Sequence, residues 1–223
     1  MSRVFFISMM AAGALAATAE LASAAETVTP VSLKTTGPDA EWADLHARAA
    51  AGDARAQRRV ALMLLKQAAP VRCAADECAA DAVDYLKRAA RGGDTVALVT
   101  LEKMRAEEAA HAPSVEDIVA IETERAERGD KMTAWRLAKR YQTGDGVEPS
   151  ASQSVRWLTE VASGDSAAYP KTTEAAYRLC EIYGQGAGVP ADDKKAQSWC
   201  ERAAQAGHAG AALVLAQLQR LDG

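Results

Sequence analysis

Asparagine is absent from the sequence, only 5% of its 223 residues are aromatic, and histidine occurs three times. The missing asparagine, beside heavy use of alanine and arginine, fits the bias of a bacterial genome rich in G and C. A core short of phenylalanine has to be filled by alanine. Backbones must then approach closely, which favours helices packed in tight pairs. His46, His111 and His208 are scattered among expected helices and loops with no acid or nucleophile fixed beside them by spacing. No catalytic residue is assigned on that ground, and no metal or cofactor is expected. The His-Glu-x-x-His zinc helix, the Gly-x-Ser-x-Gly elbow and the Gly-x-x-x-x-Gly-Lys phosphate loop are all missing. Gly184, Gly186 and Gly188 follow a helix pattern rather than a strand, so they read as a turn and not as a dinucleotide loop. Excess positive charge is lacking as well: a net charge of −4 gives no basis for a nucleic-acid partner.

A long apolar run occurs only at the start. Met1-Ser2-Arg3 is basic, Val4 to Thr18 carry no charge, and Ala22-Ser23-Ala24 supply the small-x-small pattern of a signal-peptidase site. The uncharged stretch is shorter than the roughly 20 apolar residues that cross a bilayer. The expectation is a signal peptide over 1–24, cleaved after Ala24, with no stable membrane span left behind. No cysteine sits at the cleavage site, which argues against a lipid anchor. The expected location is periplasmic or secreted. Removal of Arg3 and Glu20 takes away one base and one acid, so the charge is unchanged. Residues 25–39, rich in Thr and Pro, read as a flexible leader to a folded domain over 40–223, whose bulk composition of 49% hydrophobic and 25% charged residues is that of a soluble domain.

Self-comparison is the most informative reading of the remainder. Ala134, Trp135, Arg136, Leu137, Tyr141, Gly144, Gly146, Val147 and Trp157 recur 42 residues later as Ala176, Tyr177, Arg178, Leu179, Tyr183, Gly186, Gly188, Val189 and Trp199. Ala82, Tyr85, Ala89, Ala90, Gly93 and Ala97 recur 114 residues later as Ala196, Trp199, Ala203, Ala204, Gly207 and Ala211. Ile118, Ile121, Ala126 and Gly129 follow Ala82, Tyr85, Ala90 and Gly93 by 36. Within a unit, Leu137, Ala138 and Tyr141 share one helical face, as do Leu179, Cys180 and Tyr183. The glycine-rich stretches 143–147 and 185–189 stop those helices, and Pro149 and Pro190 follow. A second helix then carries Ser154, Trp157 and Val161, or Ala196, Trp199 and Ala203, on one stripe. The unit is an αα-hairpin, which cannot bury its apolar stripe without a neighbour.

These residues resemble the Sel-one-like repeats, the SLR branch of the tetratricopeptide-like solenoids. The match runs through Ala175, Leu179, Cys180, Tyr183, Gly186, Gly188, Val189, Asp192, Lys195, Ala196, Trp199, Ala203, Ala204 and Gly207, with Cys180 in place of the pattern's small glycine. Residues 133–164 form a second good match, while the units around Gly52 and Gly93 lack the Gly-x-Gly-Val loop. The resemblance implies an all-α, right-handed α/α solenoid of about four full repeats plus terminal helices. Helices are expected at 40–51, 54–66, 80–91, 94–107, 115–128, 131–142, 151–163, 172–184, 192–206 and 209–221. Two segments interrupt the pattern: a long loop between Lys66 and Asp81 carrying Cys73 and Cys78, and an insertion at 164–171.

The resemblance also implies an adaptor, scaffold or regulator of envelope complexes that binds an unknown protein or peptide and is not an enzyme. Some relatives have been described as acting on β-lactams, so an envelope hydrolase or a peptidoglycan-binding protein is the alternative. The Ser-x-x-Lys pair of such serine enzymes is missing, and Ser154, Ser163 and Ser198 are explained by helix packing or helix ends. In an exported protein the four cysteines should be oxidised, and proximity favours Cys73 with Cys78 and Cys180 with Cys200. For the second pair, two small buried thiols are the other reading. Zinc is disfavoured because no histidine accompanies the Cys-x4-Cys pair. In such a stack the first helix of each hairpin lines the inner, concave face. Positions two before and two after the core leucine then face a groove: Trp135 and Lys139, Tyr177 and Glu181, with Arg58 and Lys103 from the same count at Val60 and Leu101. Aromatics flanked by bases would suit an extended or helical peptide carrying acids. Alternatively, Trp135 and Tyr177 fill space between adjacent hairpins.

Overall fold

The computed structural model describes residues 38–68, 71, 73–109, 111–165 and 169–221. The expected signal peptide and residues 25–37 of the expected leader lie outside them, as do residues 166–168 of the expected insertion. Among the described residues all regular structure is helical, in ten segments: α1 Pro38–Ala50, α2 Ala54–Leu65, α3 Ala75–Arg91, α4 Thr95–Ala106, α5 Val115–Glu127, α6 Lys131–Thr143, α7 Ala151–Ala162, α8 Lys171–Gln185, α9 Asp193–Gln205 and α10 Ala209–Leu221. The pairs α2–α3, α4–α5, α6–α7 and α8–α9 are the repeat units, flanked by α1 and α10.

A Gly-Asp step restarts the chain between units. Asp53, Asp94 and Asp130 each follow a glycine and cap the next helix, accepting from Arg55 and Ala56, from Ala97, and from Met132 and Thr133. The backbone N–H of each aspartate reaches back to close the preceding helix, onto Arg48, Ala89 and Arg125 carbonyls at 3.0, 3.0 and 3.1 Å. Asp53 and Asp130 are further held by Arg48 and Arg125. One short sequence thus ends one helix and begins the next.

Within a unit, alanine lets the helices touch. Ala176, Leu179 and Cys180 of α8 meet Ala196, Cys200 and Ala203 of α9, all buried, and α6 and α7 meet through Ala134, Leu137, Ala138, Leu158 and Val161. The second glycine of each Gly-x-Gly-Val loop makes a close approach in addition to its left-handed turn. Gly146, φ 73°, lies against Val115 at the start of α5, and Gly188, φ 76°, against Ala151 at the start of α7. A side chain at either position would push back the helix of the preceding unit.

One element departs from expectation. Helix α3 begins at Ala75, five residues before the expected 80, because Asp76 and Glu77 suit a helix N-terminus. Cys78 is therefore not a loop residue: it lies in the first turns of α3, 1% exposed, and its disulfide to Cys73 ties the incoming loop to the helix, with Cα atoms 5.6 Å apart. The second disulfide, Cys180–Cys200, joins α8 to α9 across 5.1 Å between Cα atoms. That distance lies within the range a disulfide requires, so the reading as two thiols is set aside.

Candidate protein-binding face

Side-chain contacts run from each first helix to the next first helix. Arg58 of α2 reaches Asp94 at the start of α4 at 2.9 Å, and Glu102 of α4 reaches Arg140 of α6 at 3.1 Å. Trp135 of α6 lies under Lys171 and Arg178 of α8, 5.5 and 5.6 Å from its ring centre. Tyr177 of α8 stacks on His208 before α10, with centroids 4.1 Å apart. Second helices are joined likewise, by Lys87 to Asp117 and Arg91 to Glu124 between α3 and α5. Two layers result, and α2, α4, α6 and α8 form one of them.

The six residues expected to face a groove lie in that layer but differ in their engagement. Lys139 is exposed, and no ion pair engages it among the described residues. It borders a cleft of about 380 Å³ between α4 and α6, together with Glu102, Arg136 and Thr143. Lys103 is exposed and pairs loosely with Glu107 at 3.7 Å. Glu181 accepts from the Tyr177 hydroxyl, and that bond, with a smaller contribution from burial, holds the phenol above its ordinary pKa. Trp135 and Tyr177 are half-buried against the alanine-rich core and span adjacent units. Arg58 is tied to Asp94, whose side chain is almost fully buried, so it joins α2 to α4.

Further exposed residues of this layer were passed over in the sequence. Val99 is the position two before Leu101, equivalent to Trp135 and Arg58, and it is 49% exposed; Val96, one turn earlier, is 52% exposed. On α2, Arg55 and Arg59 are exposed with no carboxylate partner among the described residues. Carrying the count to every leucine would have found Val99.

Beneath Lys139 lies a buried ionic cluster. Glu122 of α5 is fully buried and is clasped by Arg136 Nε at 2.5 Å and Arg140 Nε at 2.6 Å. Arg136 also contacts Glu102, and Arg140 reaches Asp145 at 2.5 Å. Burial pushes the Glu122 carboxyl above its ordinary value, against the downward pull of Arg140, and burial lowers Arg136. The signal was present: Glu122 follows Leu86 by 36, so a charge stands in a column held elsewhere by Leu86 and Cys200. Arg140 likewise stands in the column of Met104 and Ile182.

Stacked αα-hairpins of this kind define a helical repeat protein. Residues 73–94, 132–166 and 173–208 match the Sel1 repeat family model, and these three regions of the chain are Sel1 repeats. Members of this family generally act as scaffolds for protein–protein interaction and are typically not catalytic. Among solved structures the chain is similar to a protective antigen of uropathogenic Escherichia coli displaying an SLR fold, at 24% identity and a TM-score of 0.47, covering 76% of this chain and 34% of that one. It is also similar to a Sel1 repeat protein from Oxalobacter formigenes, at 21% identity and a TM-score of 0.44, covering 79% of this chain and 66% of that one. The chain thus spans about a third of the first and just under two thirds of the second. No curated protein sequence matches it.

Proposed function

We propose that the protein is an exported adaptor of the bacterial envelope, periplasmic or secreted, whose layer of first helices binds an acidic segment of a partner protein. The observation that carries this reading is the presence of exposed Val96 and Val99 on the same layer as Arg55, Arg59 and Lys139, which have no carboxylate partner among the described residues. Such cations on a layer with exposed apolar side chains, in a chain of net charge −4, favour a ligand with carboxylates around an apolar anchor. In this arrangement Val96, Val99 and the free edges of Trp135 and Tyr177 supply area, Lys103 and Lys139 orient the ligand, Glu181 limits its acidic stretch, and Arg58 holds α2 beside α4. Two disulfides support an oxidising compartment.

Capture from a periplasmic extract by the purified protein tests this. The variant carrying Arg55→Glu and Arg59→Glu, and separately Lys139→Glu, should each lower recovery of the bound partner at least about tenfold, and the loss should lessen in salt. All three residues are exposed, so thermal unfolding should stay near wild type. Undiminished capture by both variants would remove this face from consideration.

A further inference from the structure

A second cleft lies away from that face, between α1 and α3 with α2 beneath. It encloses about 410 Å³, a volume in the range of small-ligand sites. Leu64 of α2 and Val71 of the loop that follows form its floor over the fully buried Val60, and Trp42 and Tyr85 stand on opposite walls. The Tyr85 hydroxyl and His46 Nε2 are hydrogen-bonded at 2.8 Å, which fixes the two walls relative to each other. Cys73 lines the rim, so the Cys73–Cys78 disulfide sets where the rim stands.

Charge marks the two ends. Asp81, Tyr85 and Arg88 fall on one face of α3 at i, i+4 and i+7, and all three line the cleft. Asp81 is exposed with no cationic partner among the described residues. Arg88 is exposed with no carboxylate partner among the described residues; its guanidinium rests 4.2 Å from the centre of the Tyr85 ring. Seven residues of helix separate the two charges by roughly 10.5 Å along the axis. An extended chain of three residues covers about the same span.

We infer that this cleft binds a short peptide with free termini and apolar side chains, its ammonium at Asp81, its carboxylate at Arg88 and its side chains on Trp42, Leu64 and Val71. The peptide runs along α3 across Tyr85, which offers its ring edge to the side chains while Arg88 keeps its donors free for the carboxylate. The floor selects for aliphatic or aromatic residues. A blocked peptide forfeits both charged contacts and keeps only the apolar one.

Titration calorimetry with tri-leucine as the probe tests this on the full chain. Free tri-leucine should bind one to one, and N-acetyl-tri-leucine amide at least about tenfold more weakly, since a charge-assisted contact is worth roughly that factor or more. Arg88→Gln should weaken the free peptide and erase the difference between free and C-amidated forms, while Asp81→Asn should erase the difference made by N-acetylation. The Arg55, Arg59 and Lys139 variants should bind tri-leucine like wild type, which separates this cleft from the partner-binding face. Absence of binding at millimolar tri-leucine, equal affinity for the blocked peptide, or indifference to both Asp81→Asn and Arg88→Gln would overturn the assignment.

Discussion

Helices α8 and α9 meet along alanines and a disulfide, whereas α4 and α5 hardly touch and the space beside them is taken by Glu122, Arg136 and Arg140. The two pairs hold equivalent places in the repeat. In one, small residues bring backbones together and a Gly-x-Gly-Val loop turns the corner. In the other that loop is missing, and the connection passes through Glu108 and His111 at φ 51° and 56°. Helix α5 then leans on α3 and α6 instead of its own partner. A degenerate repeat can therefore stay in register by exchanging an apolar seam for an ionic wedge. The exchange has a cost, because a buried pair must recover the desolvation of every charge in it. It also leaves α4 lightly covered, which is where Val96 and Val99 stand exposed.

The contrast can be broken most severely at Glu122. Glu122→Ala leaves two arginines without their carboxylate and should cost about 3–5 kcal/mol, read in urea unfolding. Replacing Glu122, Arg136 and Arg140 together by Leu, Met and Leu should recover much of that loss if the wedge serves mainly to fill space. On the other side, Cys180→Ser with Cys200→Ser should cost about 3 kcal/mol by releasing a closed loop of this size. Both measurements should be made under oxidising conditions. Gly146→Ala comes next, at about 1–3 kcal/mol, from positive φ combined with the approach to Val115. A thermal shift larger than that of Glu122→Ala would reverse the ranking of loop and wedge.

The smallest effect concerns acid. The Lys87 ammonium, hydrogen-bonded to Asp117, holds that carboxyl below the ordinary aspartate value, and the Ser114 backbone adds to this. Between the folded and ordinary values the unfolded chain binds more protons than the folded one. Stability contributed here is present above the ordinary aspartate pKa and is lost as pH falls through the folded value. Lys87→Met should flatten that part of the stability profile, lowering stability slightly at neutral pH and leaving it almost unchanged near pH 2, in thermal melts taken from pH 7 downwards to about pH 2.

Most of the fold was legible because the repeat is written in residue types with few uses. The Gly-Asp steps at 52–53, 93–94 and 129–130 mark helix starts, the alanine pairs mark seams, and the described helix boundaries follow the expected ones within a few residues, apart from α3. There, the long loop suggested by Cys73 and Cys78 hid a helix start that Asp76 and Glu77 favour. The cysteine pairing followed from proximity and needed only the register of α8 on α9. The layer proposed to bind the partner was half legible. Trp135, Tyr177 and Lys139 came from counting around the core leucine, but that count says nothing about exposure, which depends on how far the next unit reaches over. Glu122 was readable only as an anomaly, and its partners Arg136 and Arg140 come from the following unit.

The bond between Cys180 and Cys200 bears on how the protein behaves under load. A stack whose units touch only their neighbours yields to tension one unit at a time, each releasing its contour length as it opens. The separation of 20 residues between these cysteines withholds roughly 65 Å of that length while the bond stands. Force spectroscopy of the oxidised protein and of its variant carrying Cys180→Ser and Cys200→Ser should differ by one such step. The redox state of the surroundings thus sets how far the stack of helices can be drawn out.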